Sequence, residues 1–362
     1  MNYEPTRNNN NNIKTYKNNN LLVCLNKLLD IYSLKELSQK LNVSSGTITR
    51  WLELNNIPKN YEFDMLKLLN IEIVYSNYST KEKDQFYTPF ETAKKCFQIF
   101  LDLMKNYNEN ISEYIFIEPS AGDGSFLKVL PKETIALDIE PRHPQIQQFD
   151  YLKWEPTSIK YKYIVFGNPP FGLRGHLALQ FINHSYKFAD FVCFILPQLF
   201  ESDGKGVPRK RVKGYNLLLS NKLTSSFYEP DGKNVKINTI FQIWSKTHYN
   251  KLYDIKKCCN KEMIIYSMSD GGTSSSTRNK NMIGKCDIYI PSTCFGKENM
   301  KCYENFEDLP NKKGYGIVFT NTNNKKNMIN KMINIDWTKI SFLSTNSAYN
   351  LRSSQIYSLF DF

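Results

Sequence analysis

Residues Asn168-Pro169-Pro170-Phe171 put three kinds of chemistry into four positions. Asn168 supplies a neutral amide, Pro169 a carbonyl with no N–H of its own, and Phe171 a flat apolar face. Such groups can hold a planar amine, with acceptors on its N–H bonds and a ring against its face. A rigid proline turn is the plainer use of the same residues. The preceding run Tyr163-Ile164-Val165-Phe166 reads as a buried strand, which sets Asn168 just past a strand end.

A second set of groups lies upstream. In Glu118-Pro119-Ser120-Ala121-Gly122-Asp123-Gly124-Ser125-Phe126 the glycines let backbone approach a ligand closely. The spacing is neither G-x-G-x-x-G nor G-x-x-x-x-G-K-[ST], which disfavours a dinucleotide or a nucleoside triphosphate. Asp138, at the end of the next apolar run, can accept from both hydroxyls of a ribose. Asp150, in Phe149-Asp150-Tyr151-Leu152, can accept from an adenine amine, and Ile139 and Tyr151 can sandwich the ring. Acids in series at strand ends suggest an adenosine-bearing cofactor.

The elements that position these groups alternate. Strands are expected at 114–118, 134–138, 163–167, 191–196 and 237–244, and helices at 89–106, 125–130 and 176–187. That alternation predicts an α/β fold with a doubly wound, mostly parallel sheet, whose ligands sit beyond the carboxyl ends of the strands. We expect a disordered Asn-rich tail over 1–20, a helical domain over 21–78, a catalytic domain over 79–250 and a smaller β-rich domain over 251–362. The segment 270–280, rich in Gly, Ser and Thr, is expected as a mobile loop.

Within the helical domain, Ser33-Leu34-Lys35-Glu36 has the form of a capping box. The string SLKELSQKLNVSSGTITRWLELNNIP, with a tight turn at 42–44, resembles a helix-turn-helix of the repressor type. Its second helix would offer Ser45, Thr47, Thr49 and Arg50 to a major groove. A small bundle serving dimerisation, or docking of a protein partner, is the other reading.

The formal charge of +12 favours a polyanionic partner, nucleic acid ahead of an acidic membrane surface. Lys205, Arg209, Lys210, Arg211 and Lys213 cluster in a glycine-containing stretch after the 191–200 segment, suited to gripping phosphates. None of the eight cysteines forms a C-x-x-C pair, so we expect reduced intracellular thiols and no metal site. No stretch is long enough to span a membrane, and no secretory apolar region opens the chain.

The ordered series QFYTP (85–89), EPSAGDGSF, ALDIEP, DYLKWEP (150–156) and GNPPF resembles the catalytic domain of S-adenosylmethionine-dependent amino-methyltransferases. It is most similar to the TaqI-type, γ-ordered adenine-N6 DNA methyltransferases, over roughly residues 85–245. The resemblance implies a class I methyltransferase, Rossmann-like fold. It implies that Thr88, Pro89 and the Gly122–Gly124 turn, with Glu118, Ser120 and Ala121, hold the methionine end. By the same likeness Asp138 takes the ribose and Asp150 the adenine amine. It further implies a double-stranded DNA partner whose target adenine is flipped out of the stack.

In that chemistry the Asn168 side-chain oxygen and the Pro169 carbonyl accept the two N–H bonds of N6, and Phe171 stacks on the base. The family's second stacking aromatic has two candidates here, Phe227 and Tyr228. An RNA adenosine or a glutamine amide could be methylated by the same motif, and a DNA-binding regulator with an inactive domain is a further alternative.

Overall fold

The computed structural model describes residues 21–41, 43–83, 85–202, 207–223, 226–254, 262–272, 276–321, 323–343 and 347–360. The chain divides into two units, Met1–Lys83 and Asp84–Phe362.

In the first unit, helices Leu21–Ile31, Leu34–Lys40, Ser45–Leu54 and Glu62–Leu68 surround Leu25, Leu28, Leu37, Ile48, Trp51 and Met65. The capping box forms as its spacing requires. Ser33 N donates to Glu36 Oε2 at 3.0 Å, and Glu36 N donates back to Ser33 Oγ at 3.3 Å. Ser44 caps the helix Ser45–Leu54 by accepting from Thr47 N. The tail at 1–20 and Asn42 of the expected turn lie outside the described residues.

The second unit is built on a seven-stranded mixed sheet with a mostly parallel core. Its strands are β1 Tyr114–Glu118, β2 Ile135–Asp138, β3 Gln147–Gln148, β4 Lys162–Gly167, β5 Phe191–Pro197, β6 Asn216–Leu223 and β9 Thr239–Ser245; β7 Ser226–Tyr228 and β8 Asn234–Lys236 form a separate hairpin. The order is β3-β2-β1-β4-β5-β9-β6. β1 to β5 pair in parallel, and β9 enters antiparallel between β5 and β6.

Alternation along the central strands explains two apolar layers. On β4 and β5, Ile164, Phe166, Phe191, Cys193 and Ile195 face one core, while Tyr163, Val165, Val192, Phe194 and Leu196 face the other. The first core is covered by the helix Phe90–Asn106 through Ala93, Cys96, Phe100 and Met104, spaced three or four residues apart. The second is covered by His176–Ser185 through Ala178, Leu179 and Ile182.

One expected helix is corrected. Residues 125–130 form only a 3-10 turn at Phe126–Lys128. Pro131 stops the chain after six residues, too few to repay helix nucleation.

Within the same unit, β10 Met263–Ser269, β11 Ile288–Pro291 and β13 Lys313–Phe319 form a three-stranded antiparallel sheet ordered β10-β13-β11. β12 Thr293–Phe295, β14 Phe342–Leu343 and β15 Ala348–Asn350 form another. Helices Lys325–Ile333 and Ser353–Ser358 pack Met328, Met332 and Ile356 into a shared core with Ile317 and Trp337. Residues 273–275 of the expected mobile loop are not among those described. Among the described residues no helix is long and apolar enough to cross a membrane.

Candidate active site

The carboxyl ends of β1 and β4 are neighbours, because the two strands pair in parallel. Glu118 and Asn168 therefore come together from fifty residues apart in the chain. One pocket is lined by Thr88, Glu118, Ser120, Ala121, Gly122 and Asn168, all expected from sequence, with Phe86, Tyr87, Asp123, Ser125 and Phe126.

Asn168 is held in one orientation. Its Nδ2 donates to the Phe86 carbonyl at 3.3 Å, and its backbone carbonyl accepts from Ser120 Oγ at 3.1 Å. The side-chain Oδ1 is buried and has no partner. A buried acceptor left unmade costs about 1–3 kcal/mol, so such an atom calls for an explanation. Because Nδ2 is committed to a carbonyl, the remaining group is an acceptor by elimination.

The glycine turn is equally constrained. Gly122 has φ +54°, and a Cβ placed there would lie 2.9 Å from the Tyr87 ring. Asp138 ties the turn to β2: Oδ2 accepts from Gly122 N at 2.8 Å, and Oδ1 accepts from Glu140 N at 2.7 Å. Each carboxylate oxygen keeps a further lone pair. Burial raises the Asp138 pKa, an effect opposed by these two hydrogen bonds.

Glu118 is 1% exposed, and its Oε2 has no hydrogen-bond partner. Burial first, then the charges of Asp138 and Asp123, push its carboxyl well above the usual range. Three carboxyl groups drawn together in this way make a pocket suited to a cation.

Tyr87 and Asp123, given no individual role from sequence, join this cluster together with Tyr228. The Tyr228 hydroxyl donates to Asp123 Oδ2, and its ring meets Tyr87 edge-on at 5.7 Å. The backbones of Tyr87 and Tyr228 exchange bonds of 2.8 and 3.2 Å. Burial pushes the Tyr87 hydroxyl up to about 12. Phe227, the other aromatic candidate, is 1% exposed in the first core. The signal for Asp123 was its place between the two glycines.

Other expected residues lie elsewhere. Tyr151 lies in the second core, outside the lining of the pocket. It is buried among Phe181, His184 and Phe188, with its hydroxyl bonded to Ser185 at 2.6 Å, because the backbone after Asp150 turns inward as a 3-10 helix. Asp150 caps that turn by accepting from Leu152 N at 3.1 Å. Ile139 is half-buried at the end of β2. Pro89 occupies the N-cap position of the helix Phe90–Asn106, Gly124 adopts φ +80°, and Pro170 is half-buried. Phe171 is 6% exposed and packs into the first core.

The basic stretch is only partly free. Arg209 donates to the backbone carbonyls of Glu201 and Tyr253. Partial burial lowers the Arg211 pKa, while Lys210 and Lys213 are exposed. Lys205 lies outside the described residues.

In the first unit Ser45 Oγ donates to Ser38 Oγ at 3.3 Å, Thr47 bonds Ser44 at 2.8 Å, and Thr49 Oγ1 donates to the Ser45 carbonyl at 3.2 Å. Arg50 is exposed. Among the described residues no group of His, Cys, Asp and Glu could hold a metal ion, and the six described cysteines are free.

No family model and no curated protein matches the chain. Similar solved structures include a Pyrococcus horikoshii protein named as an RNA methyltransferase, 18% identical over 45% of this chain and 88% of that one, with a TM-score of 0.33. The 23S rRNA methyltransferase ErmE is 13% identical over 44% of this chain and 69% of that one, at 0.30. A chain of a type I R-M system is 11% identical over 72% of this chain and 66% of that one, at 0.32. Likenesses this distant leave the chemistry to be read from the site's own residues.

Proposed function

We propose that the chain is an S-adenosylmethionine-dependent methyltransferase acting on the N6 amine of adenine in DNA. The observation that carries this reading is the buried, unpartnered Oδ1 of Asn168 in a pocket shared with the glycine turn. The motif series and the strand order, with β9 inserted antiparallel, support it.

The pocket fits the cofactor's chemistry. The orphan Oε2 of Glu118 with Asp123 and Asp138 suits a ligand bearing ammonium and sulfonium charges, beside a glycine turn that the Tyr87 ring packs against. Glu118, Ser120 and the Gly122 turn would hold its methionine end, and Asp138 its ribose through the lone pairs its backbone bonds leave free. When bound, the cofactor supplies an electrophilic methyl group.

The protein's own work is orientation. Asn168 Oδ1 accepts one N–H of the target amine, and the Pro169 carbonyl accepts the other. This draws the nitrogen lone pair out of conjugation and toward the methyl group. Asn168 takes up no proton at neutral pH, so the proton leaves to solvent after transfer. Positioning and aligned dipoles supply the rate, up to ~7–11 kcal/mol for ideal orientation. Phe171 stacks on the base only if its ring leaves the core, a change that substrate entry would have to drive.

Exposed Arg50, with Lys210 and Lys213, supports a nucleic-acid partner through charge alone. Incubating the protein with labelled cofactor and either duplex DNA or RNA, then digesting to nucleosides, tests the reading. Label in N6-methyldeoxyadenosine is expected; label only in RNA adenosine, or none, overturns the DNA assignment.

A further inference from the structure

The chemistry above uses neither the turn that follows Phe171 nor the C-terminal strands, yet the two bring together a cluster of cations. Ser269 on β10 pairs directly with Lys313 on β13. On its other side it pairs with Arg278 through backbone bonds of 2.8 and 3.2 Å. Residues opposite one another on antiparallel strands project to the same face, so Arg278 and Lys313 flank Ser269 about 10 Å apart.

Arg352 lies against Tyr315, two residues further along β13 on the face of Lys313, and its buried Nε has no partner. Arg174, exposed at φ +53°, comes from the Gly172–Gly175 turn three residues past Phe171. Partial burial, then the charges of Arg174, Arg278 and Arg352, hold the Lys313 ammonium below its ordinary value. Asp270, next along the chain from Ser269, is already paired with Lys280 at 3.0 Å.

Cations gathered about Lys313 that repel it are stabilised by an anion shared between them. We propose that Arg174, Arg278, Lys313 and Arg352 form a phosphate clamp that grips the backbone of the nucleic-acid substrate beside its target base. The clamp rests on the nucleic-acid reading of the site and adds the surface that places the strand. Arg174 is its link to the pocket, because the turn that carries it directly follows the Asn168–Phe171 motif.

The test is fluorescence anisotropy of the full chain with a labelled duplex DNA and a labelled RNA strand across 50–200 mM salt. Arg278→Ala/Lys313→Ala should flatten the slope of log affinity against log salt by about 0.9 per lost contact on duplex DNA and about 0.7 on a single strand. For two contacts on DNA, the wild type then loses about tenfold more affinity than the variant over that range. Which nucleic acid shows the change identifies the source of the phosphates. An unchanged slope, or no binding by the wild type, overturns the clamp. Labelled product with an unchanged slope sinks the clamp and leaves the methyl-transfer reading standing; a flattened slope with no product does the reverse. If the double variant loses its cofactor affinity or its cooperative melt, Arg278→Ala alone carries the test, since the backbone bridge to Ser269 remains.

Discussion

Replacing Asn168 by alanine separates function from folding. The side chain makes one hydrogen bond, from Nδ2 to the Phe86 carbonyl at 3.3 Å. Its loss costs about 0.5–1.5 kcal/mol. Alanine also removes the buried, unpartnered Oδ1, which relieves a penalty of about 1–3 kcal/mol. The two oppose each other, so stability should lie between about 0.5 kcal/mol below and 2.5 kcal/mol above wild type. Turnover should behave differently. Removing one preorganised dipole aimed at the reacting group costs a factor of about 10²–10³. Urea denaturation gives the first quantity, and single-turnover transfer from labelled cofactor gives the second. A variant destabilised by several kcal/mol would show that Asn168 is a structural turn residue. One that retained wild-type transfer would show that its oxygen touches no substrate.

Three further outcomes follow from the same geometry. Glu118 has a folded-state pKa raised well above its ordinary 4.5, so its contribution to stability is full below that value and is lost as pH rises toward the folded pKa. Glu118→Gln should therefore flatten the fall in urea midpoint above pH 4.5, and an unchanged pH profile would contradict the assignment. Gly122→Ala forces a side chain at φ +54° into the Tyr87 ring 2.9 Å away; the conformation alone costs roughly 1–2 kcal/mol. Calorimetry should show cofactor affinity at least tenfold weaker, and wild-type affinity would refute the proposed role of the turn. Ser33→Ala breaks the capping box in the first unit and should cost that unit about 1 kcal/mol in a denaturant melt. A loss near zero would mean that the cap contributes nothing to its stability.

Much of the framework was legible because it rests on local periodicity. The apolar runs at 114–118 and 163–167 became β1 and β4, with both faces buried. Ser33 and Glu36 lie one helical turn apart, so their reciprocal bonds needed no tertiary information. The helix expected at 125–130 failed because its short span and Pro131 outweighed its apolar pattern. The hairpin β7–β8 was hidden by a polar sequence; its turn is set by Glu229, Lys233 and Gly232 at φ +85°.

Residue types and spacing determined that an amide, a glycine turn and several acids would stand at the ends of strands. Only the parallel pairing of β1 with β4 decided that Glu118 and Asn168 share a pocket. Only packing sent Tyr151 and Phe171 inward, since rings adjacent to strong apolar cores gain more from burial than from solvent. The contact of Tyr228 with Asp123 spans 105 residues. Such a pairing depends on where β7 runs past the glycine turn, which no local pattern encodes.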